Sequence, residues 1–217
     1  PYALSLRHGE LGIVSNSPEL LLAVANGIAE SRPIKGTIAR GLTEVSDAVQ
    51  RALLLASAKD AAEHVMIVDL VRNDLGKVAE PGGVDVPELL ALRTYRHLHH
   101  LESTVRARLA PHSKLSDVLL AVLPGGSITG APKRSALGFI RALEPSPRGP
   151  YTGAVGLVRG DGTAIFNVPI RTAIVSPAGV DYHSGGGIVW DSEARSEWLE
   201  TETKSREFER VMAGESG

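Results

Sequence analysis

The chain has 217 residues, 43% of them hydrophobic, enough for one large domain or two small ones that bury roughly 70% of the unfolded surface; this excludes a disordered chain. Twenty-three Lys and Arg against twenty-five Asp and Glu leave a net charge of −2, so no global field draws in nucleic acid or a membrane, and any anion has to be caught locally. Cysteine is absent, which excludes disulfides, thiolate metal sites and thiol nucleophiles and points to a cytoplasmic location, and no apolar run approaches the ~20 residues that cross a bilayer.

The opening "YALSLRHGELGIVS" alternates like a β-hairpin from the first residues, so a fragment that begins within a fold is expected. "SPELLLAVANG" reads as a short buried helix, with Ser17 as N-cap, Pro18 at the first helical position and Gly27 past the end. "IAESRPI" predicts a strand that leads into "RPIKGTIARG", where a stiff Pro33 and a permissive Gly36 flank a single presented amine, Lys35. Periodicity from Ser46 to about Asp74 predicts two successive helices, and "EPGG" marks a turn. Residues 98–109 end as a strand with Val105, Ala107 and Leu109 on one face and Arg106 and Arg108 on the other. Helical "LSDVLLAVL" runs into "PGGSITGAPK", and a second helix follows to about Leu143. Residue 144–150, "EPSPRGP", is the only linker-like stretch, residues 153–184 read as a β-meander, and a charged amphipathic helix runs from Asp191 to about Met212. Strands and helices without strict alternation predict an α+β layered fold, read as one catalytic region over 1–217.

Five stretches carry candidate chemistry. Gly125 and Gly130 have phosphate-loop spacing, but Ala131 and Pro132 stand where Lys and Ser/Thr would grip phosphate, so the nucleotide reading fails; a structural turn and an anion-receiving helix start remain open. The histidines of "YRHLHHLES" divide between two strand faces, His97 and His99 on one and His100 on the other, which disfavours a metal and leaves one His as a ligand contact. Asp60 and Glu63 lie three apart on one predicted helix and Glu197 and Glu200 on another, so each pair projects to one side. Two such pairs suit magnesium shared with an anionic substrate, although each alone is ordinary solvated helix, with Lys204 one turn after Glu200. Gly185, Gly186 and Gly187 let backbone N–H groups approach a carboxylate closely; alone they are a flexible loop.

Taken in order, "SPELLL", "RPIKGTIARG", "KDAAEHVMIVDLVRNDLG", "HHLESTVRARL", "PGGSITGAPK", "YTGAVGLV", "IRTAIV", "HSGGGIV" and "SEWLETETK" resemble the chorismate-utilising enzymes: anthranilate, aminodeoxychorismate, isochorismate and salicylate synthases. The resemblance covers nearly the whole chain. It implies layered antiparallel sheets with helices, here without the N-terminal half of the usual catalytic chain. Glu63 and Glu200 match magnesium ligands, and Asp60 and Glu197 match acidic residues beside them. Tyr151 and Arg171, with Ile170 adjoining, match the residues that hold the enolpyruvyl carboxylate. Gly185–Gly187 and Lys204 match donors around the ring carboxylate, so that two carboxylates of one dianion obtain separate clamps. His100 matches the active-site histidine, Thr37 and Glu19 match residues near the departing ring hydroxyl, and Ser127 or Thr129 lines the same pocket.

Lys35 is the discriminating residue in that resemblance. The anthranilate, isochorismate and salicylate branches usually have alanine there, and the aminodeoxychorismate branch has "PIKGT". In that branch the amine is thought to attack ring carbon 2 and expel the 4-hydroxyl, after which ammonia enters at carbon 4 to give 4-amino-4-deoxychorismate, a precursor of p-aminobenzoate and folate. A lysine nucleophile reacts as the neutral amine, which nearby cationic charge favours and carboxylates oppose. Glu19 is the candidate general acid, because hydroxide needs a proton to leave. Ile38 departs from the arginine that often follows "PIKGT", a change expected at the loop surface. A glutamine amidotransferase subunit or domain is the expected ammonia source. The alternatives are an anthranilate or isochorismate synthase and a non-catalytic chorismate-binding fragment.

Overall fold

In the computed structural model, which describes residues 1–190 and 192–214, eleven strands form two antiparallel sheets, accompanied by six helices. The hairpin β1 (Tyr2–His8) and β2 (Leu11–Ser17) forms as its alternation predicts. The segment read as a helix is instead β3 (Leu20–Ala25), which turns back through Asn26 and Gly27 into β4 (Ile28–Arg32). Both turn residues have positive φ, 52° and 74°, the mirror-image turn that matches strand twist and that Asn-Gly favours. The Ser17 hydroxyl still accepts a backbone N–H, from Glu19 at 3.2 Å, but it closes a turn between strands.

Next come β5 (Ile34–Ala39), α1 (Glu44–Ala56) and α2 (Ala58–Gly76). Thr43 and Ser46 form a reciprocal capping box at the start of α1. Ser57 closes α1 and caps α2 by accepting the Asp60 N–H at 3.2 Å, so the two predicted helices meet at one residue.

"EPGG" lies inside a long strand, β6 (Ala79–Thr94), and not in a turn between elements: its register against β7 (Leu98–Leu109) shifts between Ala79 and Val84, so the glycines make an irregularity that the ladder absorbs. α3 (Leu115–Val122), the four-residue α4 (Gly126–Thr129) and α5 (Lys133–Leu143) follow. The expected meander divides into two hairpins in different sheets. β8 (Val155–Val158) and β9 (Ala164–Asn167) extend the larger sheet through β3, whereas β10 (Thr172–Ser176) and β11 (Gly179–Tyr182) extend the smaller one through β2. Pro169 and Arg171, the latter at φ 50°, break the run between them. The tail helix α6 spans Ala194–Met212; Asp191, where it was expected to begin, lies outside the described residues.

The smaller sheet has the order β1-β2-β10-β11, and the larger runs β5-β7-β4-β3-β9-β8 with β6 also paired to β7. Val105 and Ala107 on β7 are fully buried and join Leu22, Ala29, Leu75 and Val118 in a core between the larger sheet and helices α2 and α3. Each fully buried leucine there contributes about 2 kcal/mol. That core fixes β5, β7 and α2, which carry one wall of the site described next.

Candidate active site

β5 presents Lys35 at an irregular step. Its register against β7 pairs Lys35 with Leu101 and Thr37 with His100, so Gly36 is an extra residue. Gly36 has φ +82°, and a Cβ there would lie 3.2 Å from both Asp60 Cβ and Leu54 Cδ1. Only glycine lets α2 come this close, and the contact brings the first turns of α2 beside Lys35. Lys35 Nζ then stands 4.0 Å from Glu63 Oε2, both side chains being partly exposed. Asp60, one turn earlier, packs its stem on Gly36.

Two groups flank the amine. Glu19, between β2 and β3, is buried, and its Oε1 accepts the Ser127 hydroxyl of α4 at 2.7 Å. Burial pushes its pKa up to about 7 against the pull of that hydrogen bond and of the Lys35 charge. This carboxyl holds a proton near neutrality. His100 is also buried; its Nδ1 is 2.7 Å from Thr37 Oγ1. Burial first, then the Arg171 charge, lowers its pKa to about 4, so the ring is neutral. Arg171 is exposed, and among the described residues it has no carboxylate partner.

The opposite wall is the glycine run after β11. A Cβ at Gly185 would lie 3.3 Å from the Tyr151 phenol oxygen, one at Gly186 3.0 Å from Glu197 Oε2, and one at Gly187 3.2 Å from Lys35 Nζ. Each missing side chain thus admits a different polar group. The Gly185 carbonyl accepts from Lys204 Nζ at 3.1 Å, and the same ammonium pairs with Glu200 at 2.5 Å. Tyr151 stacks on His183 with ring centroids 5.3 Å apart, and burial raises its pKa, so the phenol remains a donor. Tyr182 stacks on Phe208 and ties α6 to the smaller sheet.

Not every expected residue takes part. Thr129 turns its hydroxyl onto the Gly125 and Gly130 carbonyls within its own turn, and Ile170 packs on the core. Of the two open choices in "GGSITG", Ser127 is the one that reaches another site group. His183 and Ser192 were missed: Ser192 donates to Glu197 Oε1 at 2.6 Å. His183 follows alternating "GVDY" and has a sequence signal only as an aromatic beside Tyr182.

Among the described residues no three Asp, Glu or His side chains converge closely enough to hold a metal unaided. Magnesium asks less, since one or two carboxylates suffice when water and substrate oxygens complete its shell. Glu197 Oε2 is buried with no hydrogen-bond partner, an orphaned carboxylate oxygen that calls for a cation or donor. A carboxylate oxygen of this kind fits magnesium better than a softer metal.

The Lys35 amine thus lies between the Glu63 carboxylate and the glycine run, with the buried Glu19 carboxyl and the charge of Arg171 acting on the same strand wall. The chain belongs to the chorismate binding enzyme family, whose profile it matches over residues 1–210. It is 45% identical over 212 residues to anthranilate synthase component 1 of Saccharolobus solfataricus, spanning 98% of this chain and 50% of that protein. It is 44% identical over 201 residues to aminodeoxychorismate synthase component 1 of Klebsiella aerogenes, spanning 93% of this chain and 45% of that one. The fold is similar to that of anthranilate synthase component I from Streptococcus pneumoniae, with a TM-score of 0.87 at 36% identity over 94% of this chain and 45% of that chain. The chain therefore spans about half the length of the curated relatives it matches. Among the described residues no helix is long and apolar enough to cross a membrane.

Proposed function

We propose that these residues are the catalytic half of an enzyme that aminates chorismate to 4-amino-4-deoxychorismate, for p-aminobenzoate and folate synthesis, with ammonia from a glutamine amidotransferase subunit or domain. The observation that carries this reading is the amine of Lys35, set between Glu63 and Gly187 at the position where the aminodeoxychorismate branch has lysine. Arg171 and the Tyr151 phenol take the enolpyruvyl carboxylate; Lys204 and the Gly185–Gly187 backbone take the ring carboxylate. Glu63 and Glu200, with Asp60 and Glu197 beside them, would hold magnesium, which supplies charge neutralisation at the ring carboxylate when bound.

Lys35, once its ammonium has released a proton to solvent, attacks ring carbon 2 as the neutral amine. The nitrogen–carbon bond forms, both conjugated ring double bonds shift along the ring towards carbon 4, and the carbon 4–oxygen bond breaks. Glu19, protonated near pH 7, gives its proton to the leaving hydroxyl, which departs as water. Ammonia then bonds to carbon 4 as an ammonium, both double bonds return and the carbon 2–nitrogen bond breaks, which frees Lys35 as its amine. Neutral His100 holds the Thr37 hydroxyl beside the departing group.

A second reading, anthranilate synthesis, is favoured by the similarity to proteins of that name. One assay separates them: the whole polypeptide that carries these residues is given chorismate, magnesium and ammonium, and the products are resolved by chromatography and mass spectrometry. Aminodeoxychorismate from the wild type, and a rate lowered on the order of 10³-fold or more in Lys35→Ala, are expected. Anthranilate as the product, or an unchanged rate without the amine, overturns the reading. The same assay on the 217 residues alone distinguishes a self-sufficient catalyst from a chorismate-binding half.

A further inference from the structure

His64 lies one residue beyond Glu63 on the face of α2 that also carries Ile67, Val68 and Leu75, and its side chain is fully buried. An imidazole in an apolar stripe is tolerated when both nitrogens are bonded. Here they are: Nδ1 lies 3.3 Å from the Lys35 carbonyl oxygen and Nε2 lies 2.6 Å from Ser103 Oγ. A carbonyl only accepts, so Nδ1 carries the hydrogen and Nε2 is the acceptor. The Ser103 hydroxyl must then donate to Nε2, while its oxygen accepts the Leu90 N–H at 2.9 Å. The result is one directed chain, from Leu90 N–H through Ser103 and His64 to the Lys35 carbonyl.

Both ends of that chain are irregular backbone. Leu90 has φ +54°, a left-handed conformation unfavourable for leucine by about 1–2 kcal/mol, where β6 shifts register between Glu88 and Ala91. Lys35 stands where β5 shifts register on the other side of β7. The carbonyl that His64 holds belongs to the peptide joining Lys35 to Gly36, and glycine opposes rotation of that peptide least of all residues. His64 thus anchors the backbone just after Lys35, at the step where the ladder between β5 and β7 is interrupted, and so holds the Cα from which the amine reaches Glu63 and Gly187.

We infer that His64, oriented by Ser103, is the positioning residue for Lys35: it fixes the Lys35–Gly36 peptide and thereby the direction of the amine. The inference rests on the reading of Lys35 as the reacting group. A histidine that only filled the core would depend on its shorter bond, to Ser103. Glutamine places its amide near the Nε2 position and asparagine near the Nδ1 position, so the two substitutions separate these roles.

In the whole polypeptide, with chorismate, magnesium and ammonium, His64→Gln is expected to lower kcat by about 10²-fold with KM within about threefold, since a misplacement of about 1 Å has that effect. His64→Asn keeps the donor to the Lys35 carbonyl and is expected within about fivefold of wild type. Ser103→Ala, remote from the amine, lowers kcat by a smaller factor at unchanged KM, and it decides the matter if neither His64 variant folds. A second readout needs no turnover: the rate at which a small acylating reagent labels Lys35, followed by mass spectrometry, should change at least about threefold in His64→Gln and stay near wild type in His64→Asn. Folded variants in which Gln serves as well as Asn in both readouts, or an unaltered kcat in Ser103→Ala, overturn the inference. An active Lys35→Ala overturns the nucleophile reading alone, because the labelling still reports on position.

Discussion

The site has two unlike walls. On the strand wall Glu19 and His100 are buried, and each is hydrogen-bonded to a neighbouring hydroxyl by a contact of 2.7 Å. On the glycine wall Lys204 and Glu200 are exposed, and α6 is held to its sheet by the Tyr182–Phe208 stack. Groups that would make and break bonds are thus preset on strands packed into the core, while groups that would receive charge stay solvated until a ligand arrives. The difference teaches where rigidity is placed: a proton donor needs a shifted pKa and burial provides it, whereas a charged clamp held only by an exposed pair stays within reach of a ligand.

Glu19→Gln tests the strand wall most severely. The rate should fall by about 10²- to 10⁴-fold in the chromatographic assay, the range for a general acid. Stability should move the other way. The native state keeps the Glu19 proton up to about pH 7 while the unfolded chain releases it near 4.5, so this residue costs stability as pH rises through that window. At pH 8 the amide should therefore be more stable by roughly 3 kcal/mol, measured by urea unfolding, with little difference at pH 4. A variant no more stable at pH 8 would mean that Glu19 is not desolvated.

His100 has the opposite sign. Its folded pKa of about 4 lies below the ordinary 6.5, so the unfolded chain takes up a proton first as pH falls. Its contribution is complete above pH 6.5 and is lost between there and about pH 4, by roughly 3 kcal/mol across the window. His100→Asn should flatten that part of the urea-midpoint profile. An unchanged slope would put the histidine in water and remove the contrast between the walls.

Much of this was legible in the sequence, for reasons that differ from residue to residue. Periodicity marked α1 and α2, and the alternation of Val105, Ala107 and Leu109 marked β7. The Ser-Pro-Glu start of "SPELLLAVANG" fits a helix N-terminus as well as a turn, and six apolar residues have no readable period; Asn26-Gly27 was the deciding signal. That error concealed the burial of Glu19, since the first turn of a helix would have left it near solvent. Its partner Ser127 is 108 residues away, and no local pattern encodes that contact. The glycine run could be seen as permissive, but not that its three positions face Tyr151, Glu197 and Lys35 in turn.

That last arrangement gives a test at the junction of the walls. Gly187→Ala would place a methyl 3.2 Å from Lys35 Nζ, and the flexible end of the lysine has to yield. Fold stability should hardly change, whereas kcat should fall by about 10²-fold, as expected for a displaced reacting group. Wild-type kcat in a folded Gly187→Ala protein would separate the loop from the amine.

The smallest effect belongs to Lys204. Its pairing with Glu200 is an exposed i,i+4 contact, which contributes no more than about 0.5 kcal/mol, so Lys204→Met should leave the urea midpoint almost unmoved. If the ammonium also meets a substrate carboxylate, the interaction is made in ground state and transition state alike, and its loss raises KM by about tenfold while kcat stays within a factor of about three. Glu200→Gln frees the same ammonium from its partner without removing it. That variant should weaken the magnesium dependence of the rate and leave the ammonium available to the ligand, so the two substitutions should differ in which concentration, chorismate or magnesium, restores activity. Equal rescue by either would mean that the glycine wall acts as one unit and that the solvated pair is as preset as the strands opposite.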